Sequence, residues 1–258
     1  VLYGFRPASA RLMAQGTSFQ GLPRHLQRIL ANNHYINIDI KNTAFAIITQ
    51  LAERIGKAPL PPYIRRTEND RLQTLDEARY QTVYARSRGS VAAPTAGLHF
   101  TSGLLKRLSK RGIEHYAITL HVGYGTFEPV RSEDIEEHRL APETYEVPAD
   151  TSDAVNHALD TGRRVVAVGT TTTRTLEAVA SRHGGRLQPE RGQTDLYIHS
   201  DFNFSVVGGL LTNFHLPRSS LLLLVAAFAG RERVLTAYRA AVSERYRFYS
   251  FGDAMLVL

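Results

Sequence analysis

The side chains best suited to moving a proton are three histidines, each beside a turn rich in glycine, threonine or asparagine. They are His99 in VAAPTAGLHF (91–100), His121 in LHVGYGTFEPV (120–130) and His215 in LLTNFHLPRSS (210–220). An imidazole changes charge closest to neutrality, so histidine is the natural general acid or base. His99 is the first choice. It follows a turn in which Pro94 fixes φ and Gly97 can take φ > 0, so the backbone can bend closely around a small ligand with the Thr95 hydroxyl at its rim. In the second segment Gly123 and Gly125 permit close backbone approach, Tyr124 or Phe127 can stack on a base, Thr126 adds a hydroxyl and Glu128 a carboxylate. In the third, Asn213 and His215 stand before a helix entry marked by Pro217 and can hydrogen-bond the edge of a ligand ring.

A fourth segment, Gly169-Thr170-Thr171-Thr172-Thr173-Arg174, follows an apolar run and opens a helical pattern. Free backbone N–H groups at a helix start attract anionic groups, and threonine hydroxyls add donors. The spacing is neither G-x-G-x-x-G nor a P-loop, which excludes those two nucleotide-binding devices. The expected cradle is for a carboxylate, a ribose or a phosphate. We therefore expect proton transfer from His99, His121, His215 and Glu128. Ligand contacts are expected from Pro94, Thr95, Gly97, Gly123, Tyr124, Gly125, Thr126, Gly169, Thr170, Thr171, Arg174 and Asn213. Each segment also has a structural reading: a capped helix, a glycine-rich turn with core aromatics, or a satisfied buried polar pair. Three converging histidines could hold zinc, but there is no HExxH and no cysteine, so no metal is expected.

These turns need elements to hold them. Residues 35–48, YINIDIKNTAFAII, alternate apolar and polar with Asn42 at a hairpin turn, and Thr49 to Gly56 reads as a short helix. PLPPYI (59–64) reads as a rigid extended linker. We place a boundary there, with a β-rich, barrel-like subdomain over 1–58 and a main α/β domain over 59–258. In the main domain, LLKRLSKRG is a helix with a glycine stop and HYAITLHVG a strand. TSDAVNHALDTG is a helix with a Thr/Ser cap. RRVVAVG reads as a strand buried on both faces, TTTTRTLEAVASRHG as a helix, and LLLLVAAFAG and RVLTAYRAAVSERY as two more. A strand, a threonine loop and a helix form a βα unit, whose ligands sit beyond the strand C-termini.

A chain of 258 residues can bury a real core. The longest apolar run, Leu221 to Ala229, is short of the roughly 20 residues a membrane helix needs, and there is no N-terminal hydrophobic signal, so a cytoplasmic protein is expected. The net charge of +7 and a pI near 9.8 favour a polyanionic partner. No dense Lys/Arg run suggests a disordered tail. A dispersed basic face fits folded RNA, read by shape and phosphate contacts.

VAAPTAGLHF, LHVGYGTFEPV, VGTTTTRTLE (168–177), LLTNFHLPRSSLLLLVAAFAG (210–230) and YRFYSFGDAMLV (246–257) occur in one order at characteristic spacings, with PLPPYI and YQTVYA (80–85) before or between them. Together they resemble the S-adenosylmethionine:tRNA ribosyltransferase-isomerase family of queuosine biosynthesis over about residues 51–258. Ala8-Ser9-Ala10-Arg11-Leu12 is a faint counterpart of a strand near the start of that family. The resemblance implies a large mixed α/β domain carrying a smaller β-barrel domain, here incomplete. It also implies a reaction. The ribosyl moiety of S-adenosylmethionine moves onto a 7-aminomethyl-7-deazaguanine base at the tRNA wobble position and rearranges, giving epoxyqueuosine while adenine and methionine leave. The partners implied are tRNA and S-adenosylmethionine, the latter as substrate. No cofactor and no membrane are implied, and a monomer is favoured. Such chemistry needs a base for the proton activated by the sulfonium, an acid for departing adenine, and exclusion of water. Two other readings remain open: an RNA-binding relative without catalysis, and an S-adenosylmethionine-dependent transferase with another acceptor.

Overall fold

A computed structural model describes residues 3–6, 11–14, 60–61, 63–64, 72–87, 90, 92–122 and 135–258. The chain divides into two compact units, Val1–Lys57 and Ala58–Leu258. In the first, β1 (Tyr3–Arg6) pairs antiparallel with β2 (Arg11–Ala14), Tyr3 opposite Ala14 and Arg6 opposite Arg11. The strand and helix expected over 35–56 lie outside the described residues. Among the described residues there is no closed barrel.

The second unit is mixed α/β. After α1 (Leu72–Arg79) come a 3₁₀ turn (Thr95–His99), α2 (Ser102–Lys110), β3 (Thr119–His121), β4 (Glu143–Val147), α3 (Ala149–Asp160) and β5 (Val166–Val168). Then follow α4 (Thr170–Arg182), β6 (Glu190–Thr194), β7 (Gly209–Asn213), α5 (Ser220–Ala229), α6 (Arg231–Ser243) and β8 (Ala254–Val257). One sheet, β3–β4–β6, is antiparallel throughout. In the other, β5–β7–β8, β5 runs parallel to β7, with Val168 opposite Leu211, and β8 runs antiparallel to β7. The parallel pair matters most, because it brings the C-terminal ends of β5 and β7 to one edge.

Several local expectations change. α3 begins at Ala149 behind Pro148, not at a Thr/Ser cap. Thr151 is already inside its first turn, and its hydroxyl donates to the Ala117 carbonyl at 2.9 Å, tying the helix to the segment before β3. β5 is an edge strand with Val166 44% exposed rather than a strand covered on both faces. Its apolar run suits burial, but among the described residues only β7 pairs with it. PLPPYI is not simply extended: the Ile64 N–H donates to the Pro61 carbonyl at 2.9 Å, closing a turn that carries Tyr63.

The core gathers Tyr145 and Val147 from β4, Val155 from α3, Leu176, Val179 and Ala180 from α4, Leu210 from β7, and Leu224, Val225 and Val234 from α5 and α6. Each fully buried aliphatic side chain contributes about 1.5–3 kcal/mol. α4 is the central helix, and it carries two charges inward. Glu177 accepts from the backbone N–H groups of Ser205, Val206 and Val207 at 2.8–3.0 Å, fixing the chain just before β7. Arg174 bonds the Glu143 carboxylate and the Leu196 carbonyl, each at 2.9 Å. Among the described residues no helix is long and apolar enough to cross a membrane.

Candidate functional site

A cleft opens where β5 and β7 end. Its floor follows from the parallel pairing: the Gly169 N–H donates to the Leu211 carbonyl at 2.8 Å, so the start of α4 lies beside the end of β7. Gly169 has φ +95°, a left-handed value that a side chain would strain, and it turns the chain directly from strand into helix. Thr170, Thr171 and Thr172, in the first turn of α4, line the cleft. First-turn N–H groups have no partner within a helix and carry partial positive charge. They suit a carboxylate or sugar oxygens.

Asn213 joins the other walls. Its Nδ2 donates to the Tyr249 carbonyl at 3.3 Å, which fixes the amide orientation because a carbonyl only accepts. The Oδ1 therefore receives the Thr95 hydroxyl at 3.0 Å, and the same Nδ2 lies 3.3 Å from His99 Nε2. With its proton committed, Thr95 offers a ligand lone pairs rather than a donor. Asn213 is 2% exposed, so this network excludes water at its centre.

His215 lines the cleft two residues further on. Its Nε2 is 2.7 Å from the Thr212 hydroxyl, and its backbone N–H donates to the Tyr238 phenol oxygen at 2.7 Å. The residue keeps partial surface exposure, but protein encloses the ring, and burial pushes the imidazole down to about 4. At neutral pH His215 is uncharged and able to accept a proton. Burial also pushes Tyr238 up to about 12, so it stays a phenol.

Tyr63, Tyr249 and Ser250 supply an aromatic wall. The two tyrosine rings lie 5.2 Å apart at 51°, and the Tyr63 hydroxyl and Ser250 hydroxyl share a short hydrogen bond. Tyr249 has φ +71°, a strained value for a residue with a side chain. It is held by its N–H to the Phe214 carbonyl at 2.9 Å and by a tight turn behind it, in which Gly252 N–H reaches the Tyr249 carbonyl at 3.0 Å. A Cβ on Gly252 would meet the Arg247 and Phe248 carbonyl oxygens at 2.5 and 2.4 Å, so only glycine allows that turn. The cleft encloses about 80 Å³. Whole small-ligand pockets measure roughly 300–1,000 Å³, so the enclosed part has room for only one end of such a ligand.

The cleft thus brings together Pro94, Thr95, Gly169, Thr170, Thr171, Asn213 and His215 among the residues singled out from sequence. It leaves four aside. His99 is exposed and does not line the cleft; its ring meets the wall through Asn213. Gly97 has no positive φ; it is small because a Cβ there would lie 2.0 Å from the Tyr84 hydroxyl and 2.7 Å from Thr82 Cγ2. His121 is half-buried in β3 opposite Thr144, and its neighbour Val122 reaches the cleft instead. Arg174 is 4% exposed and spent on Glu143; burial pushes the guanidinium down and the carboxyl up, against their mutual attraction. Gly123, Tyr124, Gly125, Thr126 and Glu128 lie outside the described residues. Among the described residues no three His, Asp or Glu gather as a metal site, and neither carboxylate nor cation lines the cleft. Tyr63, Tyr249 and Ser250 were missed by sequence reasoning, although PLPPYI and YRFYSFGDAMLV carry them. The available signal was a glycine two residues past Ser250, marking a turn that had to be aimed.

Residues 8–257 match a family model described as queuosine biosynthesis protein. The chain is similar to the S-adenosylmethionine:tRNA ribosyltransferase-isomerase of Pelotomaculum thermopropionicum, 50% identical over 231 residues, covering 90% of this chain and 66% of that protein. It is similar to the enzyme of the same name from Syntrophotalea carbinolica, 56% identical over 212 residues, covering 81% and 60%. Among solved structures it resembles the S-adenosylmethionine tRNA ribosyltransferase of Thermotoga maritima. The identity is 48% and the TM-score 0.51, over 64% of this chain and 51% of that one. The chain spans 60–66% of the length of these two curated relatives.

Proposed function

The chain belongs to the queuosine biosynthesis protein family, and from that premise we propose that it transfers and isomerises the ribosyl moiety of S-adenosylmethionine onto 7-aminomethyl-7-deazaguanine at the tRNA wobble position. Epoxyqueuosine-tRNA forms, and adenine and methionine leave. The observation that carries this reading is the convergence of Thr95, Asn213 and His215 with the first turn of α4 on one cleft. A neutral imidazole has a lone pair for a proton made acidic by a neighbouring sulfonium, while its burial makes it a weaker base than a free histidine. We assign that proton to His215 rather than to His99, which stands outside the wall. The uncapped N–H groups of Thr170–Thr172 suit the methionine carboxylate or the ribose oxygens. Tyr63 and Tyr249 offer flat faces to a purine. S-adenosylmethionine acts as substrate; the reaction as proposed uses no metal or redox cofactor, because the sulfonium itself supplies the leaving group. The protein is proposed to work in the cytoplasm, where tRNA is.

Adenine release tests the reading. The full chain is incubated with S-adenosylmethionine, with and without tRNA carrying the 7-aminomethyl-7-deazaguanine base. Release only with that tRNA is the expected result. Release without it points to a different acceptor, and no release under either condition points to an RNA-binding relative without catalysis.

A further inference from the structure

α2 leaves the cleft-forming turn and carries a face of unpaired cations. Lys106, Arg107, Lys110 and Arg111 recur at i, i+1, i+4 and i+5 across the helix and its C-cap, and all four are exposed. At 100° per residue they fall within a 140° arc. Leu104, Leu105 and Leu108 occupy the opposite arc and are half-buried, so packing fixes which side faces out. There is no acidic residue from Ser102 to Ile113. The first one after the helix, Glu114, is taken: it accepts from Arg163 at 2.7 Å and from the Tyr116 phenol at 3.1 Å. Some surface arginines elsewhere find carboxylates, as Arg186 does in Asp160, Arg191 in Glu146 and Arg247 in Asp253. Among the described residues the four cations of this face form no ion pair. His115, 3.3 Å from the Ser109 hydroxyl, and the exposed Tyr116 extend the patch with a polar ring and a flat one.

We propose that this face of α2 binds the phosphodiester backbone of the RNA substrate and sets the distance from that backbone to the cleft. The proposal rests on the reading of the chain as a tRNA-modifying enzyme. The α2 face is continuous in sequence with the cleft. Thr95 and Ala96 line the cleft, Thr101 caps α2 by accepting from the Leu104 N–H at 3.1 Å, and Lys106 lies little more than one helical turn beyond. The helix is about 14 Å long, so its cations track a strand arriving at the cleft rather than one at a remote surface. Four fixed cations without carboxylate competition release counterions on meeting phosphates, which gives both affinity and salt dependence.

The test uses the full chain, an RNA hairpin of the anticodon arm, and two variants of equal charge change. In one, K106Q/R107Q/K110Q/R111Q removes the α2 face. In the other, R231Q/R233Q/R239Q/R245Q removes four exposed arginines on and just after α6. The first variant is expected to bind the hairpin at least about tenfold more weakly, with a log–log salt slope shallower by roughly two to three, while the second keeps most of its affinity. Equal losses in both variants would mean that overall charge, not this face, attracts RNA, and would overturn the proposal. So would an unchanged α2 variant beside a wild type that binds steeply, or an α2 variant that loses anionic lipid vesicles but keeps the hairpin. A wild type that fails to bind the hairpin removes the tRNA reading itself, and this proposal with it.

Discussion

His215 and His99 show what a sequence tells about a single residue and what it cannot. Both stand next to polar turns, and the sequence favours His99, whose turn can wrap a ligand. Burial separates them: His215 lies in the cleft wall against Thr212, while His99 is exposed behind Asn213. Their placement depends on tertiary contacts, such as those of Asn213 with Thr95 and His99 more than a hundred positions away, which no local pattern encodes. Replacing His215 by Ala should lower turnover by roughly 10²–10⁴-fold with a smaller change in S-adenosylmethionine affinity. The same change at His99 should cost less; a single-turnover comparison of the two variants decides the order. The low value of about 4 also fixes a pH dependence of stability. Above the ordinary imidazole value of 6.5, folded and unfolded chains both hold His215 neutral, and it adds no slope. Between 6.5 and about 4 the unfolded chain takes up a proton that the folded chain refuses. Stability therefore falls as pH drops through that window and levels off below it, by up to roughly 3 kcal/mol. Urea unfolding at several pH values should show this fall in the wild type and a smaller one in His215→Gln. Equal slopes would mean that the ring is not enclosed.

At the scale of elements, β3, β5 and α2 to α6 of the second unit were legible, while α1, β4, β6 and β8 were not read from the sequence. Leucine spacing and glycine stops announce α2, α4, α5 and α6. What stayed hidden was the reason some polar residues lie inside. TTTTRTLE reads as one ligand-facing run, yet α4 divides it by helical geometry. Thr170–Thr172 face the cleft in the first turn, and Arg174 and Glu177 point inward. Arg174→Ala should leave the Glu143 carboxylate buried and unpaired, costing about 3–5 kcal/mol of folding stability. Arg174→Met combined with Glu143→Leu should recover most of that loss, measured by denaturant unfolding. If Arg174→Ala instead kept its stability and lost S-adenosylmethionine binding, the arginine would belong to the ligand site after all. Gly97 gives the same lesson at smaller size. Its type was legible, but the reason is Tyr84 packed against its Cα rather than a left-handed turn.

At the scale of the whole molecule, the mixed α/β fold of the second unit and the family were both legible. Among the described residues, five of the motifs supply the cleft: PLPPYI gives Tyr63, VAAPTAGLHF gives Ala92 to Ala96, VGTTTTRTLE gives Val168 to Thr172, LLTNFHLPRSS gives Thr212 to Leu216, and YRFYSFGDAMLV gives Tyr249 and Ser250. The net charge of +7 favours a polyanionic partner without giving its location; the α2 face is the location we propose. Chelation with EDTA is expected to leave turnover intact, because in the proposed reaction the sulfonium, not a Lewis acid, activates the leaving group. Loss of turnover on chelation, restored by zinc, would contradict that mechanism. The most direct measurement is nucleoside analysis of the tRNA itself. tRNA bearing 7-aminomethyl-7-deazaguanine is incubated with the full chain and S-adenosylmethionine, digested, and examined by mass spectrometry together with the small-molecule products. The predicted result is conversion of the wobble nucleoside to epoxyqueuosine with one adenine and one methionine released per base, strongly reduced in His215→Ala. An unmodified wobble nucleoside, or adenine released without any change in the tRNA, would contradict the account.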